Sequence, residues 1–393
     1  MTKKKSVSDD LFATISKGVG GELLEDRDKN AWGYIDTGVL GLNYILSGKF
    51  VGGGVGKGVC LEIFGNSSSG KSLIGTNIMR GTQTDNGVAV MIDAENTISK
   101  AFAVKASHVD PKKFIVIESD TLENAFNRIH KIIRIVRQEA KVPLEQPLFI
   151  VYDSIAVSPS EREFKEVDLD MENITTAALK EAGGGAERPG ERAKIISKEL
   201  RKLPPVLSQN NCTILFVNQV RAAIATGFSM GPMETTTSGR GIEFYCSQRL
   251  KLSSSKHIKN NAGKVIGINV NVRCIKNKCF MPFSELKALR LFFDKGIDPF
   301  SGLLELLLQN ERISAVKPAG TYKINEPWAG GQEITFKSSK ERNDVPSSVL
   351  MKCPKLVDAE NSEQVKYYVD MFGSALEATA SDIASEEEVK GEE

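Results

Sequence analysis

Apolar positions along the chain fall into short continuous runs separated by stretches of helical spacing. Cys60–Phe64, Val88–Ile92, Phe114–Ile117, Pro147–Tyr152 and Thr213–Val217 are strand-length apolar runs, and Leu122–Arg137 repeats its apolar residues as an amphipathic helix does. Runs that are apolar on both faces and alternate with helices predict an α/β fold with a mostly parallel sheet covered on both sides. In such sheets ligands gather at the carboxyl ends of the strands. Glu95, Asp153 and Gln219 all fall there. Beyond Glu243 the pattern changes: Phe244–Leu252, Val265–Ile275 and Ala288–Phe293 read as longer strands without intervening helices, predicting an antiparallel extension.

The same pattern divides the chain. Residues 1–35 are polar, with one short helical candidate (Asp9–Lys17), and read as an N-terminal arm that docks on a neighbouring subunit or stays disordered. Residues 36–297 form the core. A turn and proline at 298–300 open a helix, Gly302–Leu308, and a small C-terminal α/β domain extends over 298–375. Residues 376–393 are acidic and predicted to be disordered. Two stretches do not read as core: 158–190, which is polar and acidic, and 220–241, which is rich in glycine, threonine and serine. Long loops inside a compact domain are usually functional or disordered.

The most informative stretch is LEIFGNSSSGKS (61–72). Gly65, Asn66, Ser67, Ser68, Ser69, Gly70, Lys71 and Ser72 fit the phosphate-loop pattern G-x-x-x-x-G-K-[ST] between a strand and a helix. The glycines let successive N–H groups curl into an anion-sized nest. The helix N-terminus adds partial positive charge, Lys71 reaches the β- and γ-phosphates, and the Ser72 hydroxyl suits Mg²⁺. Asp153, closing an apolar strand, is placed as the carboxylate that holds Mg²⁺ through water. Glu95 is placed to orient and deprotonate a water, and Gln219 to sense the γ-phosphate.

Composition adds three constraints. No apolar run approaches the ~18 residues of a membrane span, and MTKKKSVSDD lacks the apolar core of a secretory signal, so a soluble cytoplasmic protein is expected. Six cysteines lie mostly in strand-like runs without C-x-x-C spacing, which predicts reduced, packed thiols. The net charge of +1 conceals an asymmetry: Glu377 to Glu393 carries −6, leaving +7 on the remainder. Between Thr237 and Arg290, eleven Lys/Arg face only Glu243 and Glu285. A basic body with an acidic tail suits a polyanion, or else a solvated face and a solubilising tail.

Several motifs then converge: IDAEN (92–96), YDS (152–154), FVNQVR (216–221), METTTSG (233–239), FYCSQRLKL (244–252) and CIKNKCFMPF (274–283). Together they resemble RecA-type strand-exchange recombinases, with the similarity running from about Ile35 to about Leu307. The segment 294–305 looks especially similar to the UvsX recombinases of T4-like phages, whose setting would be the host cytoplasm.

The resemblance implies a RecA-like P-loop ATPase core using ATP and Mg²⁺, with Glu95, Lys71 and Gln219 in catalysis and switching. It implies that Lys276 and Lys278 reach across to a neighbouring subunit's γ-phosphate and that Phe244 packs at the subunit interface. Phe102 and Phe293 stand at adenine-contact positions where RecA carries tyrosines. DNA contacts are implied at Pro189, Gly190, Lys194, Ser197, Arg201, Arg221, Thr235, Ser238, Gly239 and Arg240, with backbone amides, hydroxyls and cations suited to phosphates. Pro204-Pro205 is expected to interrupt a helix that runs on in RecA.

The function expected is a DNA-dependent ATPase that forms filaments on single-stranded DNA, pairs it with homologous duplex DNA and exchanges strands in recombination and repair. Single-strand-binding and mediator proteins are the expected accessory partners. Two alternatives share the core: a ring helicase, and an ATP-binding mediator that does not exchange strands.

Overall fold

The computed structural model describes residues 14, 16–19, 32–163, 190–222, 234–236, 241–338 and 344–372. The chain enters through β1 (Tyr34–Ile35), α1 (Leu40–Ser47) and β2 (Val55–Gly56), then reaches β3 (Cys60–Gly65), α2 (Lys71–Thr84), β4 (Val88–Asp93), α3 (Lys100–Ser107), β5 (Phe114–Glu118), α4 (Leu122–Arg134) and β6 (Leu148–Asp153). After the segment 164–189 come α5 (Glu191–Leu200), α6 (Leu203–Gln209), β7 (Cys212–Ala222), β8 (Glu234–Thr236) and α7 (Gly241–Tyr245). Long strands β9 (Gln248–Lys259), β10 (Val265–Asn277) and β11 (Glu285–Phe292) follow, with a short β12 (Gly296–Ile297).

The main sheet has the order β12-β11-β10-β9-β3-β7-β6-β4-β5. From β9 to β5 all neighbours are parallel, and from β9 to β12 all are antiparallel. This is the mostly parallel sheet with an antiparallel extension that the apolar pattern predicts. Its parallel strands are apolar on both faces because each face buries its own cluster. One packs Leu61, Ile63, Ile74, Val151 and Leu215 beneath α1 and α2. The other packs Ile150, Tyr152, Ile214 and Phe216 against Phe126 and Ile129 of α4 and Ile196 of α5.

Beyond Asp298, α8 (Leu303–Gln309), an antiparallel trio β13 (Ile313–Val316), β14 (Thr321–Ile324) and β15 (Thr335–Lys337), then α9 (Ser347–Lys352) and α10 (Ser362–Phe372) complete the described chain. Ile313, Ile324, Leu350 and Val365 extend the same apolar cluster that lies beneath α1.

Register sets the site. Gly65 pairs with Gln219, and Asp93 pairs with Asp153, so the carboxyl ends of β3, β7, β6 and β4 form one row. The chain crosses from β3 over two positions to β4 and the edge strand β5, then turns back to fill the gap with β6 and β7.

Two local features differ from the apolar pattern, and a third, the helix break at Pro204-Pro205, follows it. The run at Phe244 is not strand: Gly241–Tyr245 forms a short helix, and β9 starts at Gln248. Its carbonyls at Glu243 and Phe244 accept hydrogen bonds from the ammonium of Lys276, a partner no local pattern reveals. Helix α4 stops at Arg134 and continues as one π-helical turn, Ile135–Glu139, where Arg137 donates to the carbonyls of Pro143, Gln146 and Asn210. Pro204 and Pro205 sit in the first turn of α6, where their missing N–H groups cost nothing, and α5 ends before them at Leu200.

Candidate nucleotide site and its surroundings

The loop between β3 and α2 lines a cleft of about 270 Å³ together with Glu95, Phe102, Asp153, Gln219, Leu291 and Phe293. Two glycines are required sterically. A side chain at Gly65 would meet the Leu252 carbonyl at 2.4 Å, and at Gly70, which has φ +86°, it would meet Leu291 at 2.2 Å. No side chain caps the N-terminus of α2, so its N–H groups are open to an anion.

Lys71 is buried and its ammonium donates to the carbonyls of Gly65 (3.1 Å) and Asn66 (2.7 Å). Burial lowers its pKa, and Asp153 and Glu95 oppose that shift. Asp153 is 5% exposed, and its pKa is pushed up to about 6. Burial is the main cause; a hydrogen bond from Ser72 lowers it, Glu95 and Asp93 raise it, and Lys71 lowers it. Glu95 Oε1 accepts from Ser154 Oγ at 2.6 Å and from Gln219 Nε2 at 3.2 Å.

This set fits a nucleoside triphosphate with Mg²⁺. The open helix end and Lys71 supply the phosphate cradle, and Ser72 with the raised Asp153 supplies hard oxygen donors. Phe102 and Phe293 are 39% and 58% exposed, leaving ring faces for a base.

The raised pKa of Asp153 makes a stability prediction. Its folded state holds the proton more tightly than the unfolded chain, so stability falls as pH rises from the ordinary aspartate range through about 6. Asp153→Asn is expected to stabilise the nucleotide-free protein at neutral pH by up to about 3 kcal/mol. The gain should vanish in acid, and turnover should be lost. Thermal denaturation across that pH range checks it, and equal melting of both proteins at neutral pH would count against it.

Lys276 and Lys278 lie away from this cleft. Lys276 pairs with Arg249, which pairs with Glu62, three residues before Gly65 on the amino-terminal side of β3. Val272, level with Gly65 through Leu252, is four residues earlier in β10. Lys276 is thus about 10 Å back along the sheet, the extra residue in β10 being taken up by a bulge, and two strands, about 10 Å, across from the loop. A lysine side chain does not span that, and this one is tied to α7. Phe244, 70% exposed, stands on the same helix.

Among the implied DNA residues, Gly190 precedes α5 with φ +84°, and Lys194 and Ser197 within the helix and Arg201 just after it line a shallow groove. Arg221 and Thr235 are register partners where β7 pairs with β8. Pro189, Ser238, Gly239 and Arg240 lie outside the described residues, as do the acidic stretch 164–189, most of the N-terminal arm and the tail from 373.

Sequence reasoning missed a buried polar chain beside the site. Asn218 Nδ2 donates to Glu62 Oε1 (2.8 Å), Arg249 Nε binds Glu62 Oε2 (2.5 Å), and Asn218 Oδ1 accepts from the Gln219 N–H (2.9 Å). The signal was an acid inside the apolar run CLEIF, which requires a buried partner.

The description "RecA N-terminal domain" matches residues 13–298. Protein RecA of Thermus aquaticus is 31% identical over 371 residues, covering 92% of this chain and 98% of that protein. Protein RecA of Clostridioides difficile (strain 630) is 30% identical over 317 residues, covering 80% of each, and that of Treponema denticola is 29% identical over 338 residues, covering 85% and 74%. A match across most of the core, joined to coverage of 74% to 98% of these relatives, means that this chain belongs to the RecA family.

Proposed function

We propose that the chain is a DNA-dependent ATPase that polymerises on single-stranded DNA, pairs it with homologous duplex DNA and exchanges strands. The observation that carries this reading is the position of Gln219. Its amide donates to Glu95 at the nucleotide cleft, and the next residues, Val220–Ala222, pair with Glu234–Thr236 of the ETTTSG segment. One residue therefore joins the group that would activate water to the base of a candidate DNA-binding hairpin, so that nucleotide and DNA bias one another.

ATP binds at the phosphate loop, with Ser72 and Asp153 as the residues for Mg²⁺. When bound, Mg²⁺ offsets charge on the phosphates. Glu95 orients and deprotonates the attacking water, and Gln219 reports the γ-phosphate. Lys276 and Lys278 serve a neighbouring subunit's nucleotide, a role supported by their distance from their own cleft. Self-association has further support at the other sheet edge. There β5 exposes Ile115 and Val116 beside a groove lined by Ile98, Val104 and Phe114. Such an apolar edge suits pairing with another copy, and the N-terminal arm is the segment assigned to it.

Lys194, Ser197, Arg201, Arg221 and Thr235 contact DNA phosphates, as do Pro189, Gly190, Ser238, Gly239 and Arg240. Segment 294–305 aligns the chain with the UvsX branch of the family. Single-strand-binding and mediator proteins are its accessory partners. Among the described residues no helix is long and apolar enough to cross a membrane.

Electron microscopy with ATP and single-stranded DNA tests the reading: helical filaments are expected, and closed rings would instead mark a helicase. Glu95→Gln should keep ATP and DNA binding but lower DNA-stimulated turnover by about 10²-fold or more. Normal turnover in that variant removes Glu95 from its role.

A further inference from the structure

We propose that Ser154 is a positioning residue for Glu95, holding the carboxylate in place so that one defined oxygen receives the proton of the attacking water. The inference rests on the reading of Glu95 as the base.

Ser154 is fully buried at the end of β6, one residue beyond Asp153. Its hydroxyl donates to Glu95 Oε1 at 2.6 Å. The backbone on both sides is pinned. The Asp153 carbonyl accepts from the Ala94 N–H at 2.6 Å, joining the ends of β6 and β4, and the Ile155 N–H donates to the Val217 carbonyl at 3.2 Å. The Ser154 carbonyl accepts from the Val157 N–H at 3.3 Å, closing a turn. The hydroxyl therefore projects from a fixed frame, and the strand register that pairs Asp93 with Asp153 brings Glu95 within its reach.

Glu95 Oε1 also accepts from Gln219, but the two donors differ in kind. Gln219 is half-buried, holds the longer bond of 3.2 Å, and lies on the strand leading to the candidate DNA hairpin. If it turns to a γ-phosphate, it leaves Glu95. Ser154 has no such freedom. Oε2 takes no hydrogen bond among the described residues. Ser154 thus reserves Oε2 for water. A water O–H bond breaks as its proton passes to Oε2. The oxygen bonds to the γ-phosphorus, the bond from that phosphorus to the bridging oxygen breaks with its electron pair on the leaving nucleotide, and the proton afterwards passes to the released phosphate.

The test compares full-length wild type, Ser154→Ala, Glu95→Gln and the double variant on single-stranded DNA. Ser154→Ala should lower kcat by about 10- to 100-fold, the size of a lost alignment. KM for ATP should stay within about threefold, because the interaction acts on the reacting water and not on ATP binding. Filaments formed by Ser154→Ala with ATP should last longer than those of wild type, because slower hydrolysis prolongs the ATP-bound state. In the Glu95→Gln background, adding Ser154→Ala should leave the residual single-turnover rate unchanged, since a positioning group has nothing left to position. A fall in kcat of less than about twofold, or an equal fall in both backgrounds, overturns the proposal. If Glu95→Gln itself turns over normally, the fault lies in the reading of Glu95.

Discussion

Lys71→Ala is expected to lose ATP-dependent filament assembly and to cut DNA-stimulated turnover by about a thousandfold, the upper range for one preorganised charge donor. In the described state the Lys71 ammonium is a strut between two carbonyls of its own loop, Gly65 and Asn66. That keeps the loop in its anion-binding shape before nucleotide arrives. Truncation removes the cation from the phosphates and leaves those carbonyls without their donor. It also removes the nearby positive charge that lowers the pKa of Asp153, so that carboxyl is pushed further up and is a poorer Mg²⁺ partner. Three losses fall on one step, while the apolar clusters on both faces of the sheet are untouched. Phosphate release and electron microscopy with single-stranded DNA provide the measurement, with thermal unfolding as a control for folding. Filaments of normal length in ATP would show that assembly does not depend on the loop's charge.

What sequence could and could not reveal follows the range of the interactions concerned. The phosphate loop was legible because a crowded, tightly turned backbone dictates residue type: Gly65 lies under the Leu252 carbonyl, and Gly70 has a left-handed φ beside Leu291. The row Glu95, Asp153 and Gln219 was legible because apolar runs end where strands end. Phe244 was misread as strand because Phe-Tyr-Cys has strand composition, while its helical turn is held by Lys276, 32 residues further on. The early end of α4 escaped for the same reason, since Arg137 reaches Asn210, 73 residues away. Ser154 stood in plain view in YDS, but its partner depends on the pairing of β4 with β6, which no local spacing reports.

Glu62 shows the same limit with larger energetic consequences, and Arg249→Leu is the expected proof. Glu62 is fully buried, and its pKa is raised by burial, with Arg249 the largest opposing influence and Asn218 the next. Arg249, 187 residues away in sequence, holds it through Nε, approaches Glu243 at 3.4 Å and lies 5.0 Å from the Phe64 ring centroid. Removing one member of a buried ion pair costs about 3–5 kcal/mol, because the remaining charge has neither water nor a partner. The cost should depend on pH in a definite direction. Glu62 in the variant is pushed further up, so its folded form binds a proton that the unfolded chain releases above the ordinary glutamate range. The variant's deficit should therefore be full above the raised pKa and shrink as pH falls from there toward the ordinary glutamate range, since a protonated Glu62 needs no cation. Urea denaturation of both proteins at neutral and mildly acidic pH measures it. A deficit that stayed constant would assign the loss to packing around Phe64 instead of to an unpaired carboxylate. The same variant should also weaken the hold of Asn218 on the Gln219 N–H, because Asn218 is oriented by the carboxylate that Arg249 fixes. ATP should then tighten DNA binding less in the variant than in wild type, even where both are folded.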